Sequence, residues 1–425
     1  MRTMKRVAAV ALSVVVLMTS GVSAKAAVTD VQPAKSSSEA VLKWAKKVGE
    51  PFDEKTYANN TVSKIKLVGN YLYVADDAKH RIMKIDKKDG TILKEQKYYD
   101  ESYIQGYVSS IGYGDGKVYV GYDNGRVQAF DENTLESLWI TDENKNAINA
   151  DFVFTNGKLY FGTTAKTTDW YDNGAPFSYY VVTTSDDDKT KPDEEKTMKK
   201  VVESKTGKFY LKKGVVLGKY IVISDTAGTL TMIDTTNDKV TDTKDIGEAF
   251  SGNITYDEMT GTIYFVAGTN DLYGIKVSAD GKLKDEKKVR LYETGYSSTT
   301  PEVYNGKVYV SGSKGKAFQD KGYMAVADVS SDKYKVNYTV ELSNYSQCEP
   351  TIVKTGENSV RVYFTINDEP GGIYAIEDSK DATSATLETV YEPTGDIKNT
   401  GCMSDVVVDE DGTIYFANDS KYIMS

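Results

Sequence analysis

A short phrase, written many times, constrains this chain more than anything else in it: a tight-turn signal, then aliphatic–tyrosine–hydrophobic. Residues 304–310 read YNGKVYV and residues 114–120 read GDGKVYV. The same core recurs at Leu72-Tyr73-Val74, Leu159-Tyr160-Phe161, Ile263-Tyr264-Phe265, Val362-Tyr363-Phe364 and Ile414-Tyr415-Phe416, with a weaker copy at Tyr220-Ile221-Val222. Asn-Gly and Asp-Gly accept the positive φ that a two-residue hairpin demands, and β-branched and aromatic residues fill the strands beyond. A second element follows, ending in an apolar residue and an acid, as in residues 82–86 (IMKID), 127–131 (VQAFD) and 230–234 (LTMID). A third element, such as LESLWITD at 135–142, and an apolar segment before each turn complete four short strands per unit.

Self-similarity at a fixed period requires a repeat architecture. The units' first strands are placed near residues 61, 104, 150, 209, 249, 298, 348 and 402. Their spacing of roughly 49 residues suits a propeller blade, and no long window carries helical periodicity. The expected fold is all-β: an eight-bladed β-propeller of four-stranded antiparallel blades, one domain over residues 40–425. The eighth unit stops at Ser425, short of its third strand's end and without a fourth. Leu42-Lys43-Trp44 resembles Ser137-Leu138-Trp139, the fourth strand of the second unit. The N-terminal strand is therefore expected to close the ring and remove a long open sheet edge. The alternatives are a ragged last blade or a chain that continues in a longer surface protein.

Residues 1–26 have the layout of a secretory signal peptide: a basic start at Arg2, Lys5 and Arg6, an apolar run from Val7 to Met18, and two cleavage candidates, Val22-Ser23-Ala24 and Ala24-Lys25-Ala26, with small residues at the critical positions. The run is too short to span a bilayer as a helix. The expectation is a secreted or cell-surface protein, a flexible leader over residues 27–39, and no membrane span. Residues 1–26 carry four cations and no acid, so cleavage after Ala26 takes the net charge from −10 to −14. Such a surface repels nucleic acid. The single histidine, His80, argues against His-rich metal sites and a Ser/His/Asp triad. The acidic run at 185–195 (SDDDKTKPDEE) lacks the spacing of a tight calcium loop and reads as a solvated loop.

The string GKVYVGYDNGRVQAFDENTLESLWITD at 116–142 resembles the quinoprotein, or PQQ-like, repeat. That resemblance extends over about residues 40–425 and implies an eight-bladed propeller. The family includes dehydrogenases that use pyrroloquinoline quinone and noncatalytic members such as an outer-membrane assembly lipoprotein. Many of the dehydrogenases hold the quinone against a disulfide between adjacent cysteines, and this chain has no such pair. The resemblance therefore points to a noncatalytic member with no cofactor.

Cys348 and Cys402 open consecutive units at matching places, beside strands that line the propeller axis, and are expected to form a disulfide. One face of the ring gathers the second-to-third and fourth-to-first loops, and here those loops are rich in aromatic residues: Tyr99, Tyr103, Tyr107, Trp170, Tyr171, Phe177, Tyr292, Tyr296 and Tyr345. Aromatic planes with polar rims suit sugar rings or peptide side chains. The once-per-unit tyrosines, by contrast, belong to the sheets. The reading is an exported, monomeric, noncatalytic scaffold that binds a glycan, peptide or protein partner on its loop face. The alternatives are a carbohydrate-active enzyme with paired carboxylates facing each other across a central pocket, and a PQQ-dependent dehydrogenase.

Overall fold

The computed structural model describes residues 27–49, 62–99, 111–149, 151–166, 176–185, 195–210, 212–250, 252–315, 321–399 and 401–425. The turns act locally as expected. Asp115-Gly116, Asn156-Gly157 and Asn305-Gly306 all take positive φ, between 51° and 79°, and each joins the first two strands of a sheet. Eight sheets result, each ordered first to fourth strand and antiparallel throughout those four. Blade 1, for example, consists of Lys66–Val68, Tyr71–Asp76, Arg81–Asp86 and Ile92–Lys97. Blade 6 consists of Glu302–Tyr304, Lys307–Ser313, Gly322–Asp328 and Lys335–Leu342. Among the described residues the only helical element is the short 3-10 turn Gly395–Ile397, and no helix is long and apolar enough to cross a membrane.

The first strands begin three to eight residues later than expected, at Lys66, Gly112, Val153, Val215, Thr255, Glu302, Thr351 and Val407. They are only two to four residues long, because the apolar segment before each turn runs mostly as a connection toward the axis and pairs only next to the turn.

Blade 8 is assembled from both ends of the chain. Val407–Val408, Ile414–Ala417 and Tyr422–Met424 supply three strands, and Ala45–Lys47 supplies the fourth, with Ala45 opposite Met424 and Lys47 opposite Tyr422. Trp44 continues the pairing through Ser425 N–H to Trp44 O at 3.0 Å, and its ring lies 6.1 Å from that of Tyr415. By register Trp44 matches Trp139, so the ring closes as the sequence reading expects, with the paired strand three residues further along.

Residues 27–39, expected to be a flexible leader, are instead laced onto blades 7 and 8. Ala27 N–H donates to Ile352 O, Asp30 N–H to Glu410 O, and Ser37 N–H to Thr389 O, at 2.7–2.9 Å. Val31 O sits where a Cβ on Gly412 would be, so the eighth blade's hairpin turn needs glycine both for its φ of +79° and for this close approach.

The repeated tyrosine is a clasp between blades. In four blades its hydroxyl donates to the third-to-fourth region of the next blade: Tyr73 to Glu132 O (2.6 Å), Tyr160 to Asp238 Oδ1 (2.6 Å), Tyr309 to Asp378 Oδ2 (2.7 Å), Tyr415 to Lys87 O (3.2 Å), whereas Tyr119 donates to Gly114 O of its own blade (3.0 Å). Blade 8 has no continuous third-to-fourth turn, and there Tyr363 donates to Ala34 O at 3.0 Å. The strap thus stands in for the missing turn. Each clasp satisfies a hydroxyl that the inter-blade core would otherwise leave unpaired.

One sheet carries a fifth strand. Outer strands such as Ile92–Lys97 and Leu283–Arg290 are charged, which discourages edge-to-edge pairing. Blade 2's outer strand, Ser137–Thr141 (SLWIT), is apolar. Glu195–Lys196 pairs with it in parallel and brings the Lys196 ammonium to 5.2 Å from the Trp139 ring centre.

Candidate functional site

The site is built where the first strands converge. Register aligns the blades: Lys66, Val153, Glu302, Thr351 and Val407 all face the repeated tyrosine of their own blade. Two residues earlier, the corresponding positions are Lys64, Asp151, Lys213, Asn253, Thr300, Glu349 and Asp405, all polar; blade 2's counterpart is outside the described residues. This tier forms a hub of mixed charge. Lys64 Nζ pairs with Asp405 at 2.9 Å, between neighbouring blades 1 and 8. Lys213 Nζ reaches Glu349 at 3.2 Å, from blade 4 to blade 7, so this ion pair lies across the axis. The Glu349 N–H donates to Asp405 Oδ1, and the Lys213 N–H to Asn253 Oδ1, each at 2.8 Å.

Protein surrounds these groups on every side, yet the paired side chains keep 20–36 % exposure. Opposite charges outweigh desolvation at Lys64, Lys213 and Glu349, and at the neighbouring Glu302 it is desolvation that prevails. It raises Glu302 well above the ordinary carboxylate range, assisted by the negative charge of Glu349 and the hydrogen bond between the two. Desolvation would raise Glu349 as well, but Lys213, the hydrogen bond from Glu302 and Lys64 overcome it and hold Glu349 below its usual value. The pair therefore shares one proton, held on Glu302. Desolvation and then Lys213 depress Lys66. Desolvation raises Asp405 as well, against the opposing charge of Lys64.

The aromatic residues divide. Tyr99, Tyr292, Tyr296 and Tyr345 lie in fourth-to-first connections and Phe177 opens a third strand, all on the expected loop face. Phe177 is 1 % exposed in the core between blades 3 and 4, and Tyr345 is 9 % exposed with Asn367 Nδ2 donating to its hydroxyl. Neither presents a free plane. Tyr292 stacks on Tyr323, with centres 5.1 Å apart, and carries the Lys314 ammonium 5.5 Å from its own centre. Tyr99 is half-buried with the Arg126 guanidinium 5.8 Å away, and Tyr296 is half-buried. Tyr103, Tyr107, Trp170 and Tyr171 lie outside the described residues.

The expected Cys348–Cys402 disulfide is not formed: both thiols are free and buried. Cys348 belongs to the core between blades 6 and 7, where its sulfur accepts the Thr365 N–H at 3.2 Å. Cys402 belongs to the core between blades 7 and 8, with its sulfur 3.4 Å from Ala417 O. Matching sequence positions place each thiol under its own second strand, in separate cores. Burial raises both thiol pKa values, which keeps them protonated.

Sequence reasoning missed the hub, although its signal was present: a polar residue two before the position facing the repeated tyrosine.

Comparison with known proteins bears on the fold. No sequence-family profile and no curated protein sequence matches this chain. Solved structures do. BamB from Moraxella catarrhalis superposes with a TM-score of 0.60 at 12 % identity, over 90 % of this chain and 98 % of that one. A quinohemoprotein alcohol dehydrogenase from Pseudomonas putida gives 0.62 at 10 % identity, over 93 % and 78 %. A computationally designed protein, Ika8, gives 0.55 at 10 % identity, over 86 % and 96 %. BamB and the dehydrogenase are propellers of the PQQ-repeat type, which supports this fold family for the chain.

The Lys213–Glu349 ion pair crosses the axis, and the two cysteines are free and sit in different cores. Among the described residues, no group of three or more His, Cys, Asp or Glu is arranged to hold a metal ion.

Proposed function

We propose that this chain is an exported, noncatalytic binding scaffold that takes a glycan, peptide or protein partner on its loop face. The observation that carries the reading is the self-neutralised hub. Here Glu302 and Glu349 are in direct hydrogen-bond contact, and Lys213 and Lys64 saturate the remaining carboxylate charge. Glycoside hydrolysis needs two carboxyl groups separated by about 5–10 Å, to admit a sugar carbon or a water between them. A pair in contact has no such gap, which disfavours the carbohydrate-active reading for these two residues. Recognition then falls to the rim, where Tyr99 and Tyr296 are partly exposed among the loops. The fold shared with BamB, and not only with a dehydrogenase, is consistent with a noncatalytic role.

The test is a glycan and peptide array probed with protein that begins at Ala27, beside Tyr99→Ala, Tyr296→Ala, Tyr103→Ala and Trp170→Ala variants. At least one variant should lose tenfold or more in affinity, about 1.4 kcal/mol. Equal binding by all four removes the aromatic face. Export is checked by N-terminal sequencing of the secreted product, which should begin at Lys25 or Ala27.

A further inference from the structure

Lys64 and Lys213 saturate Asp405 and Glu349, but the hub holds two further charges outside those pairs. Lys66 opens the first strand of blade 1, and Asp151 stands two residues before that of blade 3. Both are half-buried, on segments that line the axis, so their exposed portions face the interior of the ring. Among the described residues neither side chain makes an ion pair or a hydrogen bond. They share neighbours, however. Lys64 and Lys213 feel the charge of Asp151, and Lys66 feels those of Lys213, Asp151 and Glu349. Lys66 and Asp151 are thus within reach of each other's field without closing on one another.

The repeat does not account for this lysine. At its register position the other blades place glycine, valine or threonine, and only blade 6, with Glu302, is also ionisable there. Desolvation and then Lys213 lower its pKa, as expected of an ammonium that lacks an adequate counter-charge. A third group points to the same space. The Tyr179 hydroxyl is buried and has no hydrogen-bond partner, although its residue is only 1 % exposed. It lies beside Gly214, where a Cβ would stand 3.3 Å from it, and Gly214 follows Lys213. Asp151 is the charged group that acts on it. A buried phenol left unpaired is an exception that calls for a partner.

An unpaired ammonium, an unpaired carboxylate and an unpaired hydroxyl around one enclosed axis are the few placed polar groups of a small-molecule site. Their combined charge is zero, with the two signs held apart. A lone anion would suit Lys66 but meet the fields of Asp151 and Glu349. A lone cation would suit Asp151 but meet those of Lys64, Lys66 and Lys213. A molecule that carries both signs satisfies both ends.

We propose that the axis of the ring holds a small zwitterion, an amino acid whose carboxylate pairs with Lys66 and whose ammonium pairs with Asp151, with the Tyr179 hydroxyl as an added hydrogen-bond partner. This site goes beyond the rim reading and uses none of the rim residues, so a failed array leaves it standing and its own failure leaves the rim.

The experiment titrates the protein beginning at Ala27, by calorimetry, with glycine, β-alanine, γ-aminobutyrate and ε-aminocaproate, whose charges stand progressively further apart. Acetate and methylammonium are the singly charged controls. At least one amino acid should bind saturably, with a Kd in the millimolar range or below, and the controls should bind at least about tenfold more weakly. Lys66→Met and Asp151→Asn should each weaken the best ligand by about tenfold without lowering the melting temperature of the unliganded protein. Tyr179→Phe should weaken it by less. If removal of either charge unfolds the ring, the wild type decides alone: the best ligand should slow acetylation of Lys66 by acetic anhydride several-fold and leave that of the exposed Lys88 unchanged. The proposal is overturned by no saturation with any of the four amino acids, by equal binding of either control, by folded charge variants that bind as the wild type does, or by unchanged acetylation of Lys66.

Discussion

Blade 6 and blade 8 fill equivalent places in the ring by unequal means. Blade 6 is continuous, with outer strands of seven to eight residues, and it grips blade 7 through a buried charge cluster: Lys307 Nζ to Asp378 Oδ2 at 2.9 Å, with Tyr309 and Tyr338 donating to the same carboxylate. Blade 8 has strands of two to four residues drawn from chain segments about the whole sequence apart, and a backbone strap takes the place of its outer turn. Most of the ring is therefore held by local hairpins plus side-chain clasps. The seam is held by main-chain bonds whose partners are some 320–380 residues away, for example Asp30 to Glu410. Loop closure over that distance is entropically unfavourable, so the seam is expected to form late and open first.

The largest effect should come from removing residues 27–47. That uncovers Ile423, Met424 and Tyr415 and takes from the Tyr363 hydroxyl its acceptors on the strap, and is expected to remove more than about 5 kcal/mol, a large share of a domain's net stability. Calorimetry decides it; a truncated chain that melts within a few degrees of the intact one would mean the other seven blades hold the ring unaided. Asp378→Ala comes next. It leaves the Lys307 ammonium buried without its counter-charge, at a cost of about 3–5 kcal/mol in denaturant unfolding. The double replacement Lys307→Met with Asp378→Leu should recover most of that loss, since the pair is expensive to break rather than strongly stabilising in itself.

Trp139 and Trp44 sharpen the contrast because they hold the same register position in blades 2 and 8. Trp139 is fully buried against Tyr119, and its edge is covered by Glu195–Lys196. Trp44 is half-buried. Trp139→Ala should cost about 3–5 kcal/mol and Trp44→Ala roughly half of that. Equal losses would show the seam to be as well packed as a continuous blade.

The smallest effect concerns the hub. Glu302 has its folded pKa raised, so the native state binds the extra proton and stability falls as pH rises from about 4.5 toward the folded value. Glu349 is shifted the other way, and its contribution, present above about 4.5, is lost as pH falls below that. Glu302→Gln keeps a donor toward Glu349 and removes the first dependence. Its melting temperature should exceed that of the wild type at pH 7–8, and the difference should vanish below pH 4.5. A constant difference across that range would place the shared proton elsewhere.

How much was legible in the sequence follows the distance over which each feature is specified. Asn305-Gly306 and Val308-Tyr309-Val310 encode a turn and a strand within seven residues, so blade number, strand order and the closing role of the N-terminus could all be read by alignment of one unit on another. The equivalence of Trp44 with Trp139 survived to the level of register. The cysteines show the limit of the same method. Matching positions in consecutive units gave proximity along the repeat, but not the direction of each thiol, which depends on the core it packs into.

The chain's own letters determined the repeating hairpin, the eightfold count and the placement of loops on one face, because alternation and turn chemistry act between near neighbours. Only the closed ring decided that Lys213 would meet Glu349 across the axis, that Glu302 would hold a proton for its neighbour, and that Phe177 and Tyr345 would be enclosed. Those outcomes depend on convergence of residues some 20 to 140 positions apart, and no local pattern specifies that.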